Sequence, residues 1–422
     1  MNMTMSAATG MNGALQVNEL TAAGVLLDTI RFNVVSDSVN CTYNGQIRNS
    51  KNNPQYVFNS LFDGYVFDQG SGLNISIYDA ANRLGLKLGA TATIEDTGTR
   101  LHLLTDDIIL GYKRFEANEN NYLFLGDDNR VSANLKLKSA DGMGLQVYTN
   151  DENQDVLQDI TVGLSNFDLS KITSVLPYFP KIKGNMNGDF HAIQTKENIT
   201  LSSNLSVDKM TYEGCSLGDI STEFVYIPQE DGSHYLDAVL FSEGSQVGSL
   251  IGTYHPAGKG VLNADLKLEH LPMKIVNGFI PQQLFGFEGY ADGSMKVRGE
   301  LSKPHVDGEV FLDSMYMVSV PYGVKLRFSD DPVRVVDSKL MLENFEVFGH
   351  NDNPLNIYGN INFADLDNVY MDVRMKATNY QLINSKENYR SVAYGKAYID
   401  FYGSVRGKLD NLMMRGRLNV LG

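Results

Sequence analysis

The chain is expected to be all-β, built from antiparallel strands with one buried and one wet face and interrupted by a few short helices. Three observations carry that expectation. Apolar and polar residues alternate with period two over long runs, the pattern of a strand with one face covered and one solvated. Long helical periodicity is nearly absent. The composition, 39 Gly against 11 Pro with 22 Tyr and 20 Phe, suits strands joined by tight turns.

Taken in order, residues 1–14 are small, polar and Met-rich and are expected to fray. Phe32–Val35 and Val39–Tyr43 read as short strands before a polar turn at Asn49–Pro54. The cleanest alternation follows, with Leu84, Leu86, Leu88, Ala90, Ala92 and Ile94 facing one way and Gly85, Lys87, Gly89, Thr91, Thr93 and Glu95 the other. Val131, Ala133, Leu135 and Leu137 repeat it, as do Leu262–Glu269, Leu355–Phe363 and Val369–Thr378. Asp63-Gly64, Asp141-Gly142, Glu213-Gly214, Asp231-Gly232, Asp292-Gly293 and Asp307-Gly308 are spaced like hairpin turns or strand bulges.

Two short helices interrupt the strands. Asp168 is placed as N-cap for Leu169–Leu176, whose Leu169, Ile172, Val175 and Leu176 share one helical face before Pro177. Leu271–Ile280 has a similar stripe and is closed by Pro281; a degraded third copy is expected at Tyr380–Asn384. The first two helices precede a Gly-x-x-x-Gly opening, at Gly184/Gly188 and Gly289/Gly293. The stretch Gly289–Leu312 places Met295, Val297 and Leu301 on one face and turns at Ser302–Pro304; its VRGEL returns as VRGKL at Val405–Leu409. These recurrences predict repeat units of roughly a hundred residues, at about 167–269, 270–378 and 379–422, within one elongated body spanning 1–422.

The formal charge of −15 is scattered, which argues against nucleic acid and against a polybasic membrane patch. Met1–Gly10 has neither the basic nor the apolar segment of a signal peptide, and runs such as Ala22–Leu27 are too short to span a bilayer. The chain is therefore expected to be a soluble fragment of a longer protein. Cys41 and Cys215 are read as ordinary strand residues. The seven histidines stand far apart, and no Walker loop, G-x-S-x-G elbow or G-x-G-x-x-G is present. Asp106-Asp107, Asp127-Asp128 and Asp330-Asp331 are read as solvated turn acids. No catalytic residue, metal or cofactor is assigned, and the chain is not expected to be an enzyme.

An array on the order of 30 strands has a long aliphatic face that must be covered. Composition alone favours a β-sandwich or solenoid array; the other solution is a curled trough whose apolar lining takes acyl chains.

The order of motifs shifts that balance. LSNFDLSKI (Leu164–Ile172), KGNMNGDF (Lys183–Phe190), GSMKVRGELSKPHVDGEVFL (Gly293–Leu312), LENFEVFGHNDNPLNIYGNINF (Leu342–Phe363) and VRGKLDNLMMRGRLNV (Val405–Val420) together resemble the C-terminal region of the TamB family. This is the translocation and assembly module subunit, here in a Bacteroidota-like form, among the AsmA-like, bridge-like lipid transfer proteins. The family's G-x-L-x-x-P-x-x-x-G-x-x-x-L pattern is matched at Gly299, Leu301, Pro304, Gly308 and Leu312, whereas Leu412 stands where the copy at Gly407 should carry proline. ISIYDAANRLGLKLGATATI, ending at Ile94, is similar to its strand–turn–strand pattern.

The resemblance implies an elongated, curled antiparallel sheet, a β-taco, with a hydrophobic groove for phospholipid between inner and outer membrane. It also implies a periplasmic location, an inner-membrane anchor not seen in this sequence, an outer-membrane barrel partner of the TamA/BamA type, and a role in outer-membrane protein assembly. The groove lining is then expected at Leu84, Leu86, Leu88, Ile94, Val131, Leu135, Leu137, Leu262, Leu266, Leu268, Ile357, Ile361, Val369, Met371 and Val373. The alternatives are a structural or adhesive β-repeat surface protein with a dry core, and an outer-membrane barrel, which shares the alternation but not the short helices.

Overall fold

The structure, a computed structural model, describes residues 2–6, 10–37, 39–150, 156–280, 285–319, 322–387, 392 and 394–421. The chain divides into two compact units, Met1–Tyr212 and Glu213–Gly422. Both are antiparallel β throughout.

Unit 1 contains β1 (Asn2–Ser6), β2 (Gly10–Ala22), β3 (Val25–Ser36), β4 (Cys41–Asn49), β5 (Phe58–Phe67), β6 (Gly70–Tyr78), β7 (Leu84–Glu95) and β8 (Gly98–Leu103). After these come β9 (Ile108–Leu110), β10 (Lys113–Ala117), β11 (Tyr122–Gly126), β12 (Val131–Ser139), β13 (Gly144–Thr149), β14 (Val156–Asp168), helix α1 (Leu169–Thr173), β15 (Ile182–Thr195) and β16 (Ile199–Tyr212). Strands β1 to β8 form a meander. β11 pairs with β8 and β12, the short β9 and β10 bridge β7 to β12, and the meander resumes from β12 to β16.

Unit 2 contains β17 (Cys215–Pro228), β18 (His234–Ser242), β19 (Ser245–His255), β20 (Val261–Pro272), a 3-10 helix (Met273–Phe279), β21 (Gly286–Glu300) and β22 (Lys303–Ser319). It continues with β23 (Val324–Phe328), β24 (Val333–Val336), β25 (Lys339–Phe348), β26 (Pro354–Asn362), β27 (Tyr370–Ser385), β28 (Gly395–Lys408) and β29 (Asn411–Val420). It too is a meander, except that β23 and β24 share the space between β22 and β25.

The hundred-residue recurrence has a physical basis in strand bulges. Asn166 in β14, His270 in β20 and Asn379 in β27 each adopt positive φ (47, 53 and 49°) at a break in register. Each donates its backbone N–H to a side-chain oxygen of the next long strand: Asn187 at 2.7 Å, Asp292 at 2.7 Å and Asp400 at 2.8 Å. The first glycine of each Gly-x-x-x-Gly pair follows from the same geometry. A Cβ on Gly184 would sit 2.8 Å from the carbonyl oxygen of Asp208, and one on Gly289 would sit 2.3 Å from that of Ser314, because a second bulge presses against each.

Several expectations are corrected. The first helix is capped by Asp168 as predicted but ends at Thr173, and the second is a 3-10 helix over Met273–Phe279; Pro281 lies outside the described residues. No third helix forms: Tyr380–Asn384 continues β27, since its bulge is followed directly by pairing with β28. Residues 10–14 belong to β2 rather than fraying; residues 1 and 7–9 lie outside the described residues. Val39 is outside any strand because the Asp37 carboxylate accepts its N–H and that of Asn40, turning the chain before Cys41. Asp141-Gly142, Glu213-Gly214 and Asp231-Gly232 are turns, but Asp63-Gly64, Asp292-Gly293 and Asp307-Gly308 lie within strands. The turn expected at Ser302–Pro304 is Leu301-Ser302, closed by Glu300 opposite Lys303, so Leu301 is 58% exposed and lies off the strand face. Its counterpart Leu409-Asp410 is closed by Lys408 opposite Asn411.

Candidate apolar groove

The candidate site is a surface, and strand register defines it. In an antiparallel pair, directly opposed residues project to the same face. Starting from β7, Leu88 opposes Ile75, which opposes Phe62, then Gly45 and Phe32 on β5, β4 and β3. In the other direction Ala92 opposes Leu101, then Leu123, Ala133 and, one strand on, Leu135 and Leu137 oppose Val147 and Leu145. These oppose Val162 and Leu164 on β14. The aliphatic face is therefore continuous from β3 to β14.

The opposite face is polar, with Asn33 Nδ2 donating to Asn44 Oδ1 and Asn74 Nδ2 to Asp63 Oδ2 (both 3.0 Å). Lys136 and Lys138 stand on that face of β12.

Unit 2 repeats the segregation. Leu262, Ala264, Leu266 and Leu268 oppose Tyr254, Gly252, Leu250 and Gly248 on one side and Gly299, Val297, Met295 and Gly293 on the other. Further along, Ile357 opposes Met375, Gly359 opposes Val373 and Ile361 opposes Met371; Val373 then opposes Val405 and Val405 opposes Met414. Ion pairs such as Arg334–Glu343 (2.6 Å) and Arg406–Asp372 (2.8 Å) lie on the other face. On β29 the apolar face is uncovered: Leu412, Met414, Leu418 and Val420 are all exposed.

Of the residues expected to line a groove, Leu86, Leu88, Ile94, Val131, Leu135 and Leu137 share the apolar face of unit 1; Leu84 does not, because a register break at Gly85 sets it opposite Tyr78 and turns Gly85 towards Val175 instead. Leu262, Leu266, Leu268, Ile357, Ile361, Met371 and Val373 share that of unit 2. Val369 precedes β27 as the C-cap of a 3-10 turn. Within the set only Leu137, Leu262 and Val373 are buried; Ile94 is 60% exposed and the others are half-buried. That is not how a sandwich core treats inward residues of long strands. The accessible surface, 24510 Å², agrees. Two separate compact bodies of half the chain's mass would together show only about 19,500 Å².

The cover over the unit 1 face is uneven. At the end where β5 and β7 begin, Ile108, Phe115, Leu137 and Met143 form a closed cluster, joined by Ile172 of α1. Beside it Phe58, Ile77 and Val175 form a second. At the end where β7 finishes, Val66, Leu73, Ile94 and Leu125 on the same face are each more than two-fifths exposed. Sequence reasoning missed Phe58, Phe115 and Ile108 as the closing residues. Phe58 and Phe62 at even spacing, on one face of β5, were a usable signal for the first, whereas β9 and β10 are too short to show a period.

Polar residues gather at the closed end. Asn49, 2% exposed, donates to the carbonyls of Leu26 (3.2 Å) and Tyr56 (2.9 Å) and to the Tyr178 hydroxyl (2.7 Å). Burial raises the Asp79 pKa, but hydrogen bonds from Arg83 and Tyr112 outweigh it and hold the carboxyl below its usual value. In unit 2, a cleft of about 640 Å³ beside the 3-10 helix is lined by Val247, His270, Lys274, Phe287 and Tyr290, among others. The His270 ring stacks on Tyr290 with centroids 3.7 Å apart.

The turn acids are solvent-facing, and Asp107 pairs with Lys87 and Arg114. Cys41 and Cys215 are free thiols. Among the described residues no cluster of His, Cys, Asp and Glu could hold a metal ion, and no helix is long and apolar enough to cross a membrane. Compared with known proteins, the chain matches no family model, no curated protein and no solved structure.

Proposed function

We propose that this chain is a segment of a periplasmic lipid bridge whose apolar sheet faces receive phospholipid acyl chains in transit between inner and outer membrane. The observation that carries the reading is the aliphatic face itself, continuous from strand to strand by register yet only partly covered. Leaving such a face to water is unfavourable by about 25 cal/mol per Å², and mobile hydrocarbon removes that penalty without a fixed partner. Beyond Leu88, which packs on the closed cluster, the open stretch from Ala90 to Ile94 runs roughly 13 Å at about 3.3 Å per residue. One leaflet of bilayer hydrocarbon is about 15 Å deep, so the open stretch takes most of the length of an acyl chain. The resemblance to the TamB family supports the setting: an anchor elsewhere in the full protein, an outer-membrane barrel partner of the TamA/BamA type, and a contribution to outer-membrane protein assembly. Native mass spectrometry of gently extracted protein tests the reading. Co-purified phospholipid is expected; a chain free of lipid under those conditions favours a structural or adhesive β-repeat instead.

A further inference from the structure

The segment from Asp168 to Tyr178, between β14 and β15, lies across the apolar face of unit 1 instead of turning directly into the next strand. Its two inward apolar side chains fill the closed end. Ile172 packs on the Ile108, Phe115, Leu137 and Met143 cluster, and Val175, 4% exposed, packs between Phe58 and Ile77. Beyond them the Tyr178 hydroxyl donates to the Leu26 carbonyl and accepts from Asn49, both at 2.7 Å, while the Tyr56 hydroxyl donates to the Ser174 carbonyl at 2.7 Å. The strap thus starts at β14 and is tied down at β3, β4 and the loop that leads into β5.

That span requires the sheet to curl. Eight strand spacings separate β14 from β4, about 38 Å if the sheet were flat. Asp168 to Tyr178, with one turn of helix, reaches only about 25 Å.

The strap also has the properties of an element that opens on its own. A five-residue helix is far too short to persist without tertiary contacts, and what holds it is Ile172 and Val175, the Tyr178 ring against Tyr56 and Phe58, the buried Thr173 hydroxyl donating to the Ile182 carbonyl, and a few tyrosine and asparagine hydrogen bonds at the rim. Each apolar contact it makes is one that hydrocarbon replaces in kind. The polar knot around Asn49 keeps its hydrogen bonds to Leu26 and Tyr56 when Tyr178 leaves.

We propose that the Asp168–Tyr178 strap is a displaceable stopper. Seated, it closes one end of the unit 1 groove; an acyl chain passing that end substitutes for Ile172 and Val175 and lifts it. This rests on the acyl-chain reading of the apolar face and adds to it where passage is controlled.

A disulfide tests it. A Cβ built on Gly85 lies 2.6 and 2.9 Å from the two Val175 methyl groups, so Gly85→Cys with Val175→Cys falls within bridging distance. Cys41→Ser and Cys215→Ser leave that pair as the only thiols. The full chain is assayed for transfer of fluorescent phospholipid between vesicles of phosphatidylethanolamine and phosphatidylglycerol, and for lipid bound by native mass spectrometry. Oxidised protein is expected to keep bound lipid but to transfer it at least tenfold more slowly, with recovery on reduction. Tyr178→Phe, which removes the tie to Leu26 without a new cross-link, is expected to speed transfer severalfold. Bound lipid with equal transfer in oxidised and reduced protein, or a Tyr178→Phe chain no faster than wild type, overturns the stopper alone. Absence of bound lipid in every form, wild type included, overturns the groove reading and the stopper with it.

Discussion

The two ends of the unit 1 apolar face are written in the same period-two code, yet one is closed and the other open. At the closed end Phe58, Ile108, Phe115 and Val175 are at most 5% exposed. At the open end of the same face, Val66, Leu73, Ile94 and Leu125 are 44–60% exposed. The difference is not in the long strands. It comes from the β9–β10 pair and the Asp168–Tyr178 strap, which fold over one end and leave the other without a layer. Alternation therefore specifies which face is apolar, and the connections decide how much of it is covered.

Truncations at the two ends should separate most widely. Phe115→Ala at the closed end is expected to destabilise unit 1 by about 3–5 kcal/mol, because it leaves a cavity in a packed cluster. Leu73→Ala at the open end should change stability by no more than about 0.5 kcal/mol. Urea denaturation midpoints of the two variants check this, and equal losses would show the open end to be covered after all.

Charge should separate the faces by a smaller margin. Leu135→Asp places a carboxylate on the apolar face and is expected to cost about 2–4 kcal/mol, whereas Lys136→Asp on the polar face should be nearly neutral. Equal effects in thermal melts would mean the faces have been exchanged.

The bulges give the next comparison. Asn187→Ala and Asp292→Ala each remove the acceptor of a bulge N–H, at Asn166 and His270, and should each cost about 1 kcal/mol. Hydrogen exchange at those two amides should quicken with little effect elsewhere.

The smallest effect is acid sensitivity at the closed end. Hydrogen bonds from Lys113 and Ser139 lower the Asp141 pKa from 3.8 to about 2. A carboxyl with a depressed folded pKa stabilises the fold above its unfolded value, and that contribution fades as pH falls from about 4 towards 2. Asp141→Asn should flatten the stability profile in that window only, as read by circular dichroism melts across pH.

Much of this architecture was legible in the sequence. The strict alternation at Leu86–Ile94 and Val131–Leu137 identified the apolar face, because side chains in a regular strand can only point up or down; it misplaced Leu84, which a break at Gly85 turns to the other face. The Asp168 cap and the stripe through Ile172 and Val175 identified the strap's helix. Cover was not legible: Ile94 carries the same pattern as Leu88 but lies beyond the β9–β10 pair and the strap and is 60% exposed. Nor was the fate of Tyr380–Asn384, where the third bulge at Asn379 recurs yet the chain returns at once to pairing with β28. A repeat in sequence preserved the bulge and not the crossover. The closing pair β9 and β10 escaped notice because three to five residues cannot show a period.

The central claim, that the apolar face and not the polar one meets hydrocarbon, is tested most directly by site-specific photocrosslinking on two strands of unit 1, β6 and β11. A photoreactive residue is placed in turn at Leu73 and Leu125 on the apolar face and at Asn74 and Phe124 on the opposite face, and the full chain is incubated with phospholipid vesicles. Crosslinks to lipid at Leu73 and Leu125, with little at Asn74 and Phe124, are the predicted result. Equal labelling of both faces, or none at either, would contradict the account.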